Sequence, residues 1–141
     1  MINDSLKLKG KLAISLNGKI IQEVDNLVVT AGKGYVASRM KDATATAMSH
    51  MAIGSGSTAA AASDTALGNQ LGRVALTSTT VSNAVVTYVA SFPAGTGTGA
   101  VTEAAILNAS SGGTMLCRTV FSVVNKGAQD SMTVTWTVTV S

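Results

Sequence analysis

The alternation of side chains at the end of the chain limits most strongly what this sequence can fold into. From residue 131 to residue 141, apolar and hydroxyl side chains alternate without interruption. The apolar parity carries Met132, Val134, Trp136, Val138 and Val140, and the other carries Thr133, Thr135, Thr137 and Thr139. A period of two places successive side chains on opposite faces of a β-strand. The sequence therefore predicts a strand with one buried face and one face covered by threonine.

A second alternating stretch opens the chain and predicts an N-terminal hairpin over residues 6–25. Its apolar parity is Leu6, Leu8, Leu12, Ile14 and Leu16, and its other parity carries Lys7, Lys9 and Lys11. Asn17-Gly18 follows directly, and both residues tolerate the positive φ angles of a type I′ turn. The lysines therefore share one face of a half-buried strand.

The remaining pattern predicts an all-β protein. Runs rich in β-branched residues at 73–81 and 85–92, and at 101–107 and 114–124, flank turn-forming segments and predict two further hairpins. Residues 48–53 predict one more strand, and Thr30 could cap a short helix that contains Tyr35, Val36, Arg39 and Met40. The expected fold is a single domain over residues 1–141, an antiparallel β-sandwich of jelly-roll-like form with about eight strands and at most one short helix.

Residues 54–66 interrupt this pattern with glycine, serine, threonine and alanine in no regular period. Such a composition is typical of a long surface loop. We expect an extended surface arm here, between the strand at 48–53 and the next hairpin.

Composition leaves little material for catalysis. Only 12% of residues are charged, and the seven acids are dispersed, with Glu103 alone inside a predicted strand beyond the N-terminal hairpin. His50 is the sole histidine, and Cys117 lies on the apolar parity of its strand, where a thiol behaves as a small hydrophobe. The glycine runs at 32–34 and 95–99 lack the spacing of a phosphate-binding loop. The sequence predicts no catalytic, cofactor-binding or metal site.

Charge and hydropathy also restrict the partners that we expect. Seven of the ten basic residues precede residue 42, but the net charge of +3 reflects scarce acids as much as added bases. Direct nucleic-acid binding is therefore not implied. No window approaches about 18 uninterrupted apolar residues, and the N-terminus lacks an apolar leader, so we expect neither export by that route nor a membrane span. We expect synthesis in the cytoplasm.

Several stretches resemble small virion proteins of tailed bacteriophages, over roughly residues 25–140. The most distinctive are the Ile53-Gly-Ser-Gly-Ser-Thr loop and the later Phe92-Pro-Ala-Gly-Thr-Gly turn, accompanied by Asp25-Asn-Leu-Val-Val-Thr-Ala-Gly-Lys and Cys117-Arg-Thr-Val-Phe. They are most similar to capsid decoration, or cement, proteins of short-tailed phages. The resemblance implies a sandwich or jelly-roll domain on the capsid exterior that self-associates, as a dimer or trimer, and binds the outer surface of the major capsid protein shell.

The contact residues expected from the sequence are Lys7, Lys9, Lys11, Ser55, Ser57 and Thr58. The lysines have an alternative interpretation as a solvated strand edge that discourages aggregation. The function also has an alternative, a structural or receptor-binding component of a tail fibre or baseplate. An enzyme is the third class, and it would need a nucleophile placed beside His50.

Overall fold

The structure, a computed structural model, describes residues 6–41 and 45–141, which form nine strands and one helix. The elements are β1 (Leu8–Leu16), β2 (Lys19–Val28), α1 (Thr30–Lys41), β3 (His50–Gly54), β4 (Gln70–Ala75), β5 (Ser78–Ser82), β6 (Val85–Phe92), β7 (Gly99–Leu107), β8 (Met115–Lys126) and β9 (Met132–Val140). The predicted all-β fold with one short helix is confirmed. The prediction that no apolar leader is present rests partly on residues 1–5, which lie outside the described residues.

The strands join one antiparallel sheet in the order β4-β3-β7-β8-β2-β1-β9-β6-β5. The sheet curls into a half-barrel, and β2 connects its two halves through different parts of its length. Its residues 19–26 pair with β1, whereas Leu27 and Val28 pair with β8. We call β5, β6, β9 and β1 the front layer, and β8, β7, β3 and β4 the back layer.

The main core lies between the two layers. Trp136 and Ile14 of the front layer and Ile53 and Ile106 of the back layer belong to one apolar cluster, each with 0% exposure. Full burial of each such side chain contributes on the order of 2 kcal/mol. On β9 the buried parity is the apolar one, so the alternation predicted for this strand is confirmed.

The predicted strand at 73–81 is divided between the layers. β4 pairs with β3 in the back layer, and only β5 forms the predicted hairpin with β6. The chain bends at Leu76 and Thr77, where the Leu76 amide donates to the Ser49 carbonyl and the Thr77 amide donates to the Val89 carbonyl. One β-branched run thus crosses from one layer to the other, and no glycine or proline marks the bend.

The helix begins at Thr30, which is therefore the first residue of its first turn. The prediction that Thr30 caps the helix is wrong. The Val29 carbonyl accepts the Lys33 amide, while the Thr30 amide donates to the Ala62 carbonyl. Gly32 is buried, and a Cβ atom there would collide with the backbone carbonyl of Leu116 on β8. The missing side chain therefore sets how closely α1 approaches the sheet.

Two substitutions in α1 separate this packing effect from helix propensity. Gly32→Ala should lower the free energy of unfolding by about 1–3 kcal/mol, because the backbone of β8 has to shift. Gly34→Ala has open space around the new Cβ, and should leave stability unchanged or raise it by up to about 1 kcal/mol. Urea unfolding of both variants measures the difference, and equal effects would contradict the close approach of the helix.

Candidate functional site

A buried carboxylate organises the outer side of the back layer. Glu103 on β7 is 0% exposed and accepts three backbone N–H groups. Gly56 and Asn69 donate to Oε2 at 2.7 and 2.8 Å, and Gly68 donates to Oε1 at 2.8 Å. All three donors belong to the loop that joins β3 to β4. This carboxylate therefore fixes both ends of the loop.

Arg118 on the neighbouring β8 neutralises this carboxylate. Its Nε and Nη2 donate to Glu103 Oε1 at 3.1 and 2.9 Å. Its Nη1 donates to Asp64 Oδ2 at 2.9 Å, and Nη2 also donates to the Thr58 carbonyl at 3.0 Å. Buried charges are tolerated when they are paired and hydrogen-bonded in this way. The guanidinium joins the sheet to the middle of the same loop.

The titration of Glu103 reflects two opposing effects. Burial alone would raise the pKa of its carboxyl group, but the amides of Asn69, Gly68 and Gly56 and the Arg118 guanidinium hold it below its ordinary value. These donors stabilise the ionised form. The carboxylate is therefore charged at neutral pH.

Three glycines make room for the carboxylate. A Cβ at Gly56 would stand 2.5 Å from Glu103 Oε2, and one at Gly54 would collide with the Asn69 carbonyl. A Cβ at Gly68 would stand 3.1 Å from the Gly56 Cα. The glycines of the Ile53-Gly-Ser-Gly motif and Gly68 thus form a cradle in which the amides of Gly56, Gly68 and Asn69 approach a buried carboxylate closely.

We call residues 55–69 the arm, which includes most of the predicted arm at 54–66. Its ends are clamped together, since the Ser55 amide donates to the Asn69 carbonyl at 2.9 Å and Asn69 Nδ2 donates to Ser55 Oγ at 2.6 Å. On its underside, Leu67 packs on a second apolar cluster of the back layer. Ends this close are typical of a compact Ω-loop, so the arm has one defined conformation.

The predicted contact residues of the arm differ in what they expose. Ser57 and Thr58 are exposed, although the carbonyl of Thr58 is bound by Arg118. Ser55 is half-buried, and its hydroxyl oxygen accepts the hydrogen bond from Asn69 Nδ2 that joins the ends of the arm. Between Thr58 and Leu67 the exposed residues of the arm are small and uncharged, namely Ala59, Ala61, Ala62, Ser63, Thr65 and Ala66.

The predicted lysine residues lie on the opposite side of the molecule. Lys7, Lys9 and Lys11 are exposed, and Lys9 and Lys11 pair with Thr139 and Thr137 of β9 on the outer surface of the front layer. We call this surface, with Thr133 and Thr135, the threonine face. The structure therefore does not bring the lysines and the arm together.

Two details revise the interpretation of the lysine stripe. β1 lies between β2 and β9, so its interpretation as a strand edge is wrong. The positive charge is also partly balanced, because Lys11 stands opposite Asp25 and its Nζ lies 3.9 Å from Glu23 Oε2. The first depends on the long-range pairing of β1 with β9, which the alternation of β1 does not contain, and the second on the register of the predicted hairpin, which a bulge at Ile14 and Ser15 shifts.

The other residues considered for chemistry have structural settings. Cys117 is 0% exposed and faces the core, and burial raises the pKa of its thiol. His50 is half-buried, with Nδ1 2.7 Å from Ser49 Oγ. The Pro93 turn is tethered by the buried Lys126, whose Nζ donates to the Pro93 carbonyl at 3.0 Å and to the Asp130 carbonyl at 2.7 Å.

In the part of the chain that the structure describes, no three His, Cys, Asp or Glu side chains are grouped so that they could hold a metal ion. Within the same residues, no helix has the length and apolar character needed to cross a membrane. No protein-family model, curated protein or solved structure matches this chain. The arm and the threonine face, which lie on opposite sides of the molecule, are two candidate surfaces for a partner.

The ion pair and its glycine cradle were not identified from the sequence. The available signals were an acid inside a strongly apolar strand and the glycines at 54, 56 and 68, at the two ends of the arm. The side chains of Arg118 and Cys117 lie on opposite faces of β8, since Cys117 belongs to the main core and Arg118 binds Glu103. What the sequence does not contain is the pairing of Glu103 with loop amides more than thirty residues away.

Replacing the carboxylate tests its role directly. Glu103→Gln should lower the free energy of unfolding by about 3–5 kcal/mol at neutral pH. It removes the negative charge that pairs with the buried Arg118, and it removes a carboxylate oxygen that accepts hydrogen bonds from the amides of the arm. Glu23→Gln is the control, since its ion pair is 58% exposed on both sides and should cost less than about 1 kcal/mol. Urea unfolding measures both, and a loss for Glu103→Gln no larger than the control would contradict the assignment.

The lowered pKa of Glu103 predicts that its contribution to stability depends on pH. The folded-state pKa of Glu103 is depressed, so its contribution to stability is present above the ordinary value of 4.5 and is lost as the pH falls through the folded-state pKa. The stability difference between wild type and Glu103→Gln should be constant near neutrality and shrink below about pH 4.5. Urea unfolding over a pH series measures it, and a difference that widens in acid would contradict the depressed pKa.

Proposed function

We propose that this protein is a capsid decoration protein of a bacteriophage, which binds the outer surface of the major capsid protein shell and stabilises the head. The observation that carries the proposal is the fixing of the arm by Glu103 and Arg118. A buried ion pair that holds a small-residue loop in one shape favours a docking role. The phage assignment itself is supported by the sequence resemblance.

A fixed arm is suited to binding another protein surface. Its conformation is already set in the free protein, so binding loses less conformational entropy than the ordering of a mobile loop would. Its exposed residues, such as Ser57, Ala59 and Ala61, are short and allow the backbone to approach a partner closely. Ser57 and Thr58 remain the preferred contact residues.

The second surface adds a way to bridge neighbours. The threonine face, with Lys9 and Lys11, lies on the side of the sandwich opposite the arm. A domain with one docking surface on each side can join two subunits. On a shell, each contact can be weak, because repetition over many equivalent positions multiplies the effect.

The test uses phage heads that lack this protein, to which the purified chain is added. The proposal predicts hundreds of bound copies distributed over the shell in a cryo-EM reconstruction, and heads that lose their DNA at a higher temperature than undecorated heads. A handful of copies at one vertex, or no change in heat resistance, would contradict it. Location at the vertex would support a tail-fibre or baseplate component in its place.

Single substitutions test the arm as the contact element. Ser57→Glu should weaken co-sedimentation with heads by at least about tenfold, because it places an unpaired charge in the interface. Ser110 is also an exposed serine, in the loop between β7 and β8, and Ser110→Glu should bind as wild type does. Equal binding by both variants would contradict the role of the arm.

A further inference from the structure

The strand β5 ends the front layer as an exposed sheet edge. Among the described residues it pairs with β6 alone, so alternate N–H and C=O groups along its other side have no strand partner. All five of its side chains are exposed. Such an edge is a template for pairing with another chain.

Protein edges are usually protected by charged side chains, prolines or bulges. β5 has none of these, since the sequence contains no charged residue from 74 to 102 and the β5–β6 register is unbroken. The other end of the sheet differs, because β4 carries Arg73 and its pairing with β3 contains a register shift. The lack of protection is therefore specific to β5.

Val81 gives a second indication that this edge is covered by a partner. It stands opposite Val86, a residue that packs against the main core, and therefore lies on the core side of the sheet. Yet Val81 is 71% exposed. The apolar interior of the half-barrel thus continues to this edge with no element of the described chain above it.

The sequence of β5 favours a second copy of this chain as the partner. It is Ser78-Thr79-Thr80-Val81-Ser82, which has nearly the same shape in both directions. An antiparallel pairing centred on Thr80 places each serine opposite a serine and Thr79 opposite Val81, two β-branched side chains of similar volume. With no charge on the strand, such a pairing brings no like charges together. Interfaces with twofold symmetry require this self-complementarity.

We propose that two copies of this chain dimerise by antiparallel pairing of their β5 strands, which joins the two front layers into one continuous sheet. The proposal deepens the docking function by naming one partner, and it needs no capsid shell. The dimer would then present two arms, one from each copy, related by the twofold axis. The contact is a single short strand, so we expect reversible association in the micromolar range.

Sedimentation velocity over a concentration series tests the pairing in purified protein. Wild type should shift from monomer to dimer, and Val81→Lys should weaken the dimer at least about tenfold by placing like charges on both strands. Val123→Lys is the matched control, since Val123 is an exposed strand valine on β8 and should leave the dimer intact. A monomeric wild type, or a dimer unaffected by Val81→Lys, would overturn the proposal.

Amide hydrogen exchange on the wild type keeps the proposal testable if Val81→Lys does not fold. Within residues 78–82, the amides that point away from β6 should become protected as the protein concentration rises. Exchange of these amides that is independent of concentration would overturn the pairing. Neither experiment contains capsid shells, so loss of shell binding with an intact dimer would reject the proposed function alone.

Discussion

The Glu103 carboxylate, buried away from water, determines the shape of the arm, the surface that we propose for docking. An ionised carboxylate without partners costs several kcal/mol in a protein interior. The chain avoids this cost only when Gly56, Gly68 and Asn69 turn their amides toward it and Arg118 lies beside it. The conformation of the arm is therefore set mainly by electrostatics. Packing contributes little, since Leu67 is the one large apolar side chain between residues 55 and 69.

The small number of charged residues explains why the rest of the surface is weakly charged. Only 12% of the residues are charged. Several of these side chains are buried, as Arg118 and Lys126 are, or lie in a local ion pair, as Lys11 does. Threonine, serine and alanine cover the outer surface of the front layer, the arm and β5. Weakly charged surfaces favour association. A fold of this kind is suited to contact over several faces, and the three surfaces point in different directions from one core.

The fold could be predicted where local periodicity determines it. The alternation in β1 and β9 gives their buried faces, and Asn17 with Gly18 gives the first turn, in which both residues have positive φ. The division of residues 70–82 between two layers could not be predicted, because Leu76 and Thr77 are ordinary strand residues and the bend follows from their bonds to Ser49 and Val89. For the same reason the sequence could not show that β1 is an inner strand.

The candidate site was predictable in part. Ser57 and Thr58 are exposed on the arm as expected, but the residues that fix the arm come from β7 and β8, far along the chain. The most direct measurement is amide hydrogen exchange of Gly56, Gly68 and Asn69 in the free protein, compared with the core strands. A defined arm held by Glu103 predicts protection at these three amides that approaches that of β7. Exchange as fast as in an unstructured peptide would contradict the central claim.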